Sequence, residues 1–216
     1  MPREIALAPK GSPAGLLFRP LPEVASLHAD AGANSSIALA AGATKSISPK
    51  DGLHCHISAT VSMPPTGAAN VTLTIRAYPA GTKAGAGSLA ISIVQDSAGN
   101  RTLQQGSGKR QSAKLTRGTG TVTLEVFVDG PISESFGNGG EALLTSSGHM
   151  VYASGSGITL SSSVATHVDL SVWSMQKSIK TDDDDASGSL VLPTILVSNM
   201  VIFSQACHCN NICRRV

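Results

Sequence analysis

The sequence has few aromatic and few charged residues. Phe, Tyr and Trp make up 3% of its 216 residues, and Asp, Glu, Lys and Arg make up 14%. A typical globular chain is about 25% charged, so disorder driven by charge repulsion is not expected. The formal net charge of +2 offers no basic footprint for nucleic acid and no polybasic patch for a membrane surface. With so few aromatics, the core must consist of Val, Ile, Leu and Ala.

The sequence also lacks a long apolar run. The longest, residues 190–203, has 14 residues and is interrupted by Pro193, Ser198 and Asn199. A membrane-spanning helix needs about 20 apolar residues, so we expect a buried strand pair or an unpaired tail there. The first ten residues have no apolar core of a signal peptide, and no compartment is assigned.

Cysteine is scarce. Cys55 stands alone, and near the end of the chain lie Cys207, His208, Cys209 and Cys213. Zinc sites present cysteines at C-x2–4-C spacing and require four ligands, whereas adjacent and alternate residues rarely converge on one ion. We predict an exposed tail, with a metal site or a disulfide as the alternatives, and no cofactor.

What the sequence does contain is a period of two. Apolar and polar residues alternate over these runs: 53–63, 71–77, 89–93, 121–129, 132–136, 142–145, 150–153, 157–161 and 168–175. Each run predicts a strand with one buried and one solvated face. Turns rich in Gly and Pro separate them. About nine short strands predict an all-β fold, an antiparallel β-sandwich.

Three segments do not share this alternation. Residues 1–30 contain five prolines and predict an irregular extension with one short helix at residues 22–28. Residues 31–52, rich in Ala, Gly and Ser, predict a linker or an irregular first edge. Residues 181–216 begin with an Asp run, which usually marks the solvated end of a domain. The sandwich is therefore expected at about residues 53–180.

Few side chains suggest chemistry. Glu134 shares a strand face with Ile132 and Phe136, so it could be a general acid in an apolar site. The commoner alternative, which we favour, is a Glu that pairs with a base or reaches solvent, because no second positioned carboxylate accompanies it. Asp129 precedes the Gly130-Pro131 turn and is predicted to cap it.

His54 and His56 occupy the polar face of one predicted strand. Two histidines at this spacing can grip a metal, but no third ligand is evident in the sequence. We therefore predict two exposed, solvated histidines and no metal site.

Three motifs occur in the order found in one known family. Asp129 is followed five residues later by Glu134, then by Phe136 and the Gly-rich turn that holds Gly139 and Gly140. Trp173 opens a W-S-M sequence, and residues 1–4 and 21–27 form the third motif. This set resembles glycoside hydrolase family 32, the invertases and fructan-cleaving enzymes. In that family the third motif belongs to the segment that leaves the catalytic propeller and crosses to a C-terminal sandwich.

The resemblance implies a C-terminal β-sandwich of a β-fructofuranosidase with a structural role. Its implied partners are a propeller catalytic domain or a second copy, and a fructose-containing glycan. The family's nucleophile, transition-state stabiliser and acid/base lie in W-M-N-D-P, R-D-P and E-C motifs. The sequence contains no Asp-Pro, Arg-Asp or Glu-Cys pair, so no catalytic residue is assigned and the chain alone is expected to be inactive. It departs from the family at Gly130-Pro131, and at Glu141 and His28, where Arg is common.

Alternatives remain at this point. A stand-alone lectin-like sandwich would bind glycans, although its aromatic platforms would have to come from few residues. A third class is an interaction protein that uses the 181–216 tail. The position of Met1 inside a family-like segment favours a truncated enzyme over a remnant or a dedicated domain. Sequons at Asn34, Asn70 and Asn100 predict glycosylation if the chain is secreted.

Overall fold

The structure, a computed structural model, describes residues 2–10, 14–47, 54–76, 88–106, 110–116, 120–130, 132–147 and 157–176. All of them belong to one compact unit, Met1–Ser178. The strand predicted at 150–153, the Asp run, the apolar run and the Cys207–Cys213 cluster lie outside the described residues. No described helix is long and apolar enough to cross a membrane.

The described residues form strands and one 3₁₀ helix. The helix is Pro22–Leu27. The strands are β1 Arg3–Leu7, β2 Leu16–Pro20, β3 Ala33–Leu39, β4 Thr44–Ile47, β5 His54–Ser62, β6 Ala69–Arg76, β7 Ser88–Gln95, β8 Arg101–Gly106, β9 Gln111–Leu115, β10 Thr121–Asp129, β11 Ile132–Gly137, β12 Ala142–Ser147, β13 Ile158–Ser162 and β14 Thr166–Ser174.

Two six-stranded sheets make the body of the fold. The first sheet has the order β12-β11-β10-β5-β14-β3, and the second has the order β4-β13-β6-β7-β8-β9. Neighbouring strands pair antiparallel throughout both sheets. A separate hairpin joins β1 to β2. The predicted all-β antiparallel sandwich is confirmed.

The core between the sheets is aliphatic. In β5, for example, Cys55, Ile57, Ala59 and Val61 are buried, whereas the polar residues between them are partly or fully exposed. The same alternation appears in β13 and β14. The buried rings of Phe127 and Phe136 belong to a different, smaller cluster. The composition therefore predicted the chemistry of the main core correctly.

Residues 31–52 contribute an edge strand to each sheet. β3 pairs with β14, with Ile37 opposite Val168, and β4 pairs with β13, with Ile47 opposite Ile158. The segment lies at an edge of each sheet, but it forms regular strands rather than the predicted linker or irregular first edge. The alternation is hard to see because the first four residues of β3 are all exposed. The folded sandwich thus begins before residue 53.

β8 and β9 also escaped the hydropathy pattern. The inward side chains of β8 are Arg101, Leu103 and Gln105, all buried. The Gln105 amide donates hydrogen bonds to the hydroxyls of Ser133 and Ser146, at 3.0 and 2.7 Å. Because these inward polar groups are hydrogen-bonded, they can be buried at modest cost, yet their sequence does not look like a buried strand face.

The described part of the N-terminal extension contains the β1–β2 hairpin and the 3₁₀ helix. The helix at Pro22–Leu27 confirms the short helix predicted at residues 22–28, and Pro22 stands in its first turn, where a proline is well tolerated. The β1–β2 hairpin was not predicted, because the five prolines of residues 1–30 favoured an irregular extension. We call residues 2–30 the N-terminal segment.

Candidate functional site

The outer face of the first sheet, which points away from the main core, gathers most of the residues singled out from the sequence. Strand alternation places the following side chains on it: His54 and His56 of β5; Glu125, Phe127 and Asp129 of β10; Glu134 and Phe136 of β11; and Trp173 of β14. The outer face of an antiparallel sandwich is usually solvated. Here Phe127, Glu134 and Phe136 are buried, because the N-terminal segment covers them.

The 3₁₀ helix packs on this face through a small apolar cluster. Val24 of the helix is buried with Phe127 and Phe136, and Leu21 and Met175 pack against them. The two phenylalanine rings meet edge to face, with centroids 6.0 Å apart at 86°. Edge-to-face pairs add to the burial energy of the rings, so the cluster anchors the helix to β10 and β11.

Glu134 forms an ion pair with Arg3 of β1. The Arg3 Nη2 donates to Glu134 Oε1, and only 6% of the Glu134 side chain is exposed. The favoured prediction for Glu134, pairing with a base, is the arrangement found. The partner lies 131 residues away in the chain, so the ion pair ties the start of the N-terminal segment to β11.

The Gly-rich turn between β11 and β12 holds the hairpin. Asn138, Gly139 and Gly140 all have positive φ, at 49°, 63° and 100°. The Phe18 N–H donates to the Gly140 carbonyl at 3.0 Å, and Arg19 Nε donates to the Gly139 carbonyl at 3.0 Å. The backbone of β2 therefore rests directly on this turn.

His56 is enclosed rather than solvated. Only 13% of its side chain is exposed, and its ring lies between Phe127 and Trp173, with centroids 4.1 and 4.9 Å away. The prediction of an exposed, solvated histidine is wrong for this residue. It assumed that the polar face of β5 is open to water, whereas the N-terminal segment closes over it.

His28 completes a row of rings on the outer face. Its ring stacks on Trp173 with centroids 4.6 Å apart at 6°, and its Nε2 lies 2.9 Å from His56 Nδ1. The Nε2 of His56 in turn contacts Glu125 Oε2. Burial, and secondarily the neighbouring His56, lower the pKa of His28. Nothing in the sequence placed His28 beside residues 56 and 173.

His54 and Asp129 pair across β5 and β10. Their Nδ1 and Oδ1 atoms are 3.0 Å apart, with 24% and 78% of the two side chains exposed. Asp129 precedes Gly130, which has a φ of 57°. The side-chain contact of Asp129 is thus with the neighbouring strand β5, and its capping role stays a prediction.

A cavity of about 480 Å³ lies between the 3₁₀ helix and the sheet. Apolar side chains line most of it, among them Leu21, Leu27 and Ile132, and the carboxylates of Asp129 and Glu134 lie on its wall. Two carboxylates in one cavity raise the question of glycosidase chemistry. However, Glu134 is engaged by Arg3 and Asp129 contacts His54, so both carboxylates serve to join segments of the chain.

One cluster superficially resembles a hydrolytic triad. Ser36 Oγ lies 2.8 Å from His167 Nε2 and donates to Asp169 Oδ1 at 2.6 Å. The same ring nitrogen of His167 is 3.2 Å from the Asp169 carboxylate. A triad requires the carboxylate on the other nitrogen and the hydroxyl free to attack. The cluster is therefore an exposed cross-strand contact, in which hydrogen bonds from Ser36 and then His167 lower the pKa of Asp169.

The three sequon asparagines are all exposed. Asn34 Oδ1 accepts a hydrogen bond from Ser171, Asn70 Oδ1 accepts one from Thr72, and Asn100 Nδ2 donates to Asp96. Exposure is what a glycosylated asparagine requires. Glycosylation at these positions stays a prediction.

A known family resembles this chain in sequence, and solved structures resemble it in fold. The family model described as glycosyl hydrolases family 32 C terminal matches residues 23–174, which confirms the resemblance seen in the motifs. No curated protein sequence matches significantly.

Solved structures of longer proteins share the fold. Fructan 1-exohydrolase IIa from Cichorium intybus matches with a TM-score of 0.64 at 14% identity, over 82% of this chain and 40% of that one. Exo-inulinase from Aspergillus awamori matches with a TM-score of 0.62 at 20% identity, over 81% and 35%. Sucrose-6-phosphate hydrolase from Lactobacillus gasseri matches with a TM-score of 0.54 at 17% identity, over 81% and 33%. The chain thus spans well under half the length of these proteins.

Proposed function

Because the chain belongs to the family of C-terminal domains of family 32 glycosyl hydrolases, we propose that it is a non-catalytic supporting module for a β-fructofuranosidase-type propeller domain. One observation carries the proposal. The residues of the family-like motifs fasten the N-terminal segment to the outer face of the first sheet. In the resemblance drawn from the sequence, this segment is the one that arrives from the propeller.

The motif contacts follow the N-terminal segment from its beginning to its end. Glu134 pairs with Arg3 near the start, and the turn at 139–140 receives the β2 backbone. Phe136 then packs with Val24 of the helix, and Trp173 stacks on His28. Four separate fastenings of one segment give a connector that holds a fixed orientation. A domain that must set the position of a neighbouring domain needs such a connector.

The same region exposes apolar surface. The large hydrophobic side chains exposed in the described residues are Ile5, Leu7, Leu16, Leu27 and Ile132, at 65, 82, 45, 37 and 47%. Four of them belong to the N-terminal segment, and Leu27 and Ile132 line the cavity. Contiguous exposed apolar surface marks an interaction site. We propose that the propeller covers it, with self-association as the outcome when no propeller is present.

A lectin-like role has less support. A sugar platform needs an aromatic face open to solvent. Phe127 and Phe136 are buried, and Trp173 is stacked against His28 and His56. Tyr78 and Tyr152 lie outside the described residues.

Reconstitution tests the proposal. A family 32 propeller domain from the same organism, expressed separately, is mixed with the purified chain at neutral pH, and the complex is sized by light scattering. We expect a one-to-one complex that Leu7→Asp abolishes and that the control Ser35→Asp, at an exposed position of β3, preserves. A monodisperse monomer that binds neither the propeller nor a hydrophobic dye would contradict the proposal. Reading the transcript upstream of Met1 for an in-frame W-M-N-D-P motif tests the same idea independently.

A further inference from the structure

We propose that His28, His56 and Glu125 form a latch that fastens the end of the N-terminal segment at neutral pH and loosens it on mild acidification. We call these three residues the histidine latch. The inference deepens the proposed function, because it makes the attachment of the N-terminal segment dependent on pH. Only the consequence for a neighbouring domain rests on the proposed function. The latch itself is a property of this chain.

The hydrogen bonds fix where the protons lie. Glu125 accepts from Ser58 Oγ at one oxygen, at 2.7 Å, and contacts His56 Nε2 at the other. A carboxylate can only accept, so His56 Nε2 carries a proton. In neutral His56 the Nδ1 atom is then an acceptor, and it accepts a hydrogen bond from the His28 Nε2–H group at 2.9 Å. His28 therefore donates a hydrogen bond to His56, and His56 donates one to Glu125.

The hydrogen bond between His28 and His56 can form when the pair carries one positive charge, but not when it carries two. With a single extra proton, one imidazole is charged and the hydrogen bond between the rings persists. With two, N–H faces N–H across the same gap, since both nitrogens of an imidazolium are donors. The hydrogen bond is then lost and two like charges lie side by side. Double protonation thus converts the contact from attractive to repulsive.

The surroundings set the direction of the pH dependence. His28 faces His56 from β5, Glu125 from β10 and Asp30 from its own segment, while β14 presents the neutral Trp173. Burial and His56 lower the pKa of His28, and the two carboxylates oppose this shift less strongly. A lowered pKa in the folded state means that the unfolded or released segment binds the proton more readily. The latch is therefore at full strength above about pH 6.5, the ordinary histidine value, and weakens as the pH falls below it.

Two backbone hydrogen bonds depend on the latch. His28 pairs with Met175 as an isolated bridge, and beside it Ala29 N–H donates to Ser174 O and Gln176 N–H donates to Leu27 O, each at 2.8 Å. These bonds hold the exit of the 3₁₀ helix against the end of β14. Repulsion at His28 opens this bridge first, because it is the backbone contact nearest the ring.

The single tryptophan of the chain provides a direct reporter. An imidazolium stacked on indole quenches its fluorescence, so Trp173 emission follows the charge of His28. We would titrate the 1–216 chain from about pH 7.5 to about pH 5.5, above the range where exposed carboxylates protonate. Amide hydrogen exchange of Ala29 and Gln176, expressed as protection factors, reports opening of the bridge over the same range.

For the wild-type chain we expect a fluorescence midpoint below pH 6.5 and a roughly tenfold loss of protection per pH unit beyond it, the limit for one proton. His28→Phe keeps a ring on Trp173 and should remove both effects. His167→Gln, at an exposed histidine, should retain both.

Glu125→Gln provides a second variant should His28→Phe fold poorly. Removing that carboxylate should move the midpoint to lower pH, since Glu125 raises the pKa of His28. A wild-type chain whose protection factors do not change with pH would overturn the latch, as would an unaltered pH response in His28→Phe. Binding of a propeller is measured separately at neutral pH, so failure of the latch and failure of the proposed function give different results.

Discussion

Gly140 and Phe18 touch through their backbones. A Cβ on Gly140 would lie less than 3.0 Å from the Phe18 carbonyl oxygen and its carbon, and Gly140 has a φ of 100°. The Phe18 N–H also donates to the Gly140 carbonyl at 3.0 Å. The turn after β11 and the hairpin of the N-terminal segment are therefore fitted to each other at a place where only glycine suffices.

Gly140→Ala is expected to detach the hairpin. Backbone strain of this kind costs about 1–3 kcal/mol, and the clash with Phe18 adds to it. The control is Gly120→Ala, which has the same strain at a φ of 97° but nothing within 4 Å of the added carbon. Denaturant unfolding and exchange of the Phe18 amide measure the outcome. Equal effects of the two substitutions would show that strain alone matters and that the hairpin is not held there.

Breaking the Arg3–Glu134 ion pair should destabilise the fold. Arg3→Met leaves Glu134 buried without its cation, and losing one partner of a charged hydrogen bond costs about 1–3 kcal/mol. Part of Arg3 is exposed, at 30% of its side chain, which places the effect toward the lower end. Arg110→Met is the control, because Arg110 is exposed and its contact with Gln104 is long, at 3.4 Å. Chemical denaturation should separate the two variants, and an equal or larger loss of stability for Arg110→Met would contradict the role of Glu134.

Gln105→Leu should destabilise the sandwich although it makes the core more apolar. The Gln105 amide and carbonyl bond to Ser133, Ser135 and Ser146 between the two sheets. Leucine leaves those buried hydroxyls with fewer hydrogen-bond partners, which should lower the free energy of unfolding by about 1–3 kcal/mol. Gln104→Leu, at the neighbouring position on the other face of β8, should have little effect on the unfolding midpoint. A stabilised Gln105→Leu protein would mean that the network is dispensable.

The purified chain should release no fructose from sucrose, inulin or levan above a heat-killed control. Retaining cleavage requires two carboxylates about 5–5.5 Å apart, one of them a proton donor, whereas Glu134 and Asp129 are engaged with Arg3 and His54. Sugar release is measured by ion chromatography. Turnover that survives purification and disappears in Glu134→Gln would overturn this prediction.

Deleting residues 181–216 should leave cooperative unfolding intact. β14 ends at Ser174 and is the last strand in the described residues. Thermal unfolding of the 1–180 chain, followed by circular dichroism, checks this. A broadened or lost transition would show that the apolar run at 190–203 completes the fold.

Local alternation was enough to predict much of the sandwich. In β5 and β10 every second residue is apolar, and the register Val126 opposite Ile57 places both on the core side. The spacing of Asp129, Glu134 and Phe136 likewise indicated the family, because a motif is a property of sequence alone. Both signals lie within short stretches, nine residues in each strand and eight from Asp129 to Phe136, and a pattern this local can be interpreted without knowledge of its folded neighbours.

Tertiary structure decided the rest. β8 was missed because its inward face carries Arg101 and Gln105, whose burial depends on hydrogen-bond partners from other strands. His56 was expected in solvent because alternation shows which face of a sheet a side chain occupies but not what covers that face. Part of its cover comes from His28, 28 residues earlier, while Phe127 and Trp173 lie on either side of its ring. Hydropathy is a property of each residue by itself. The burial of an outer face depends on contacts between segments far apart in the chain, and these contacts exist only once the chain has folded.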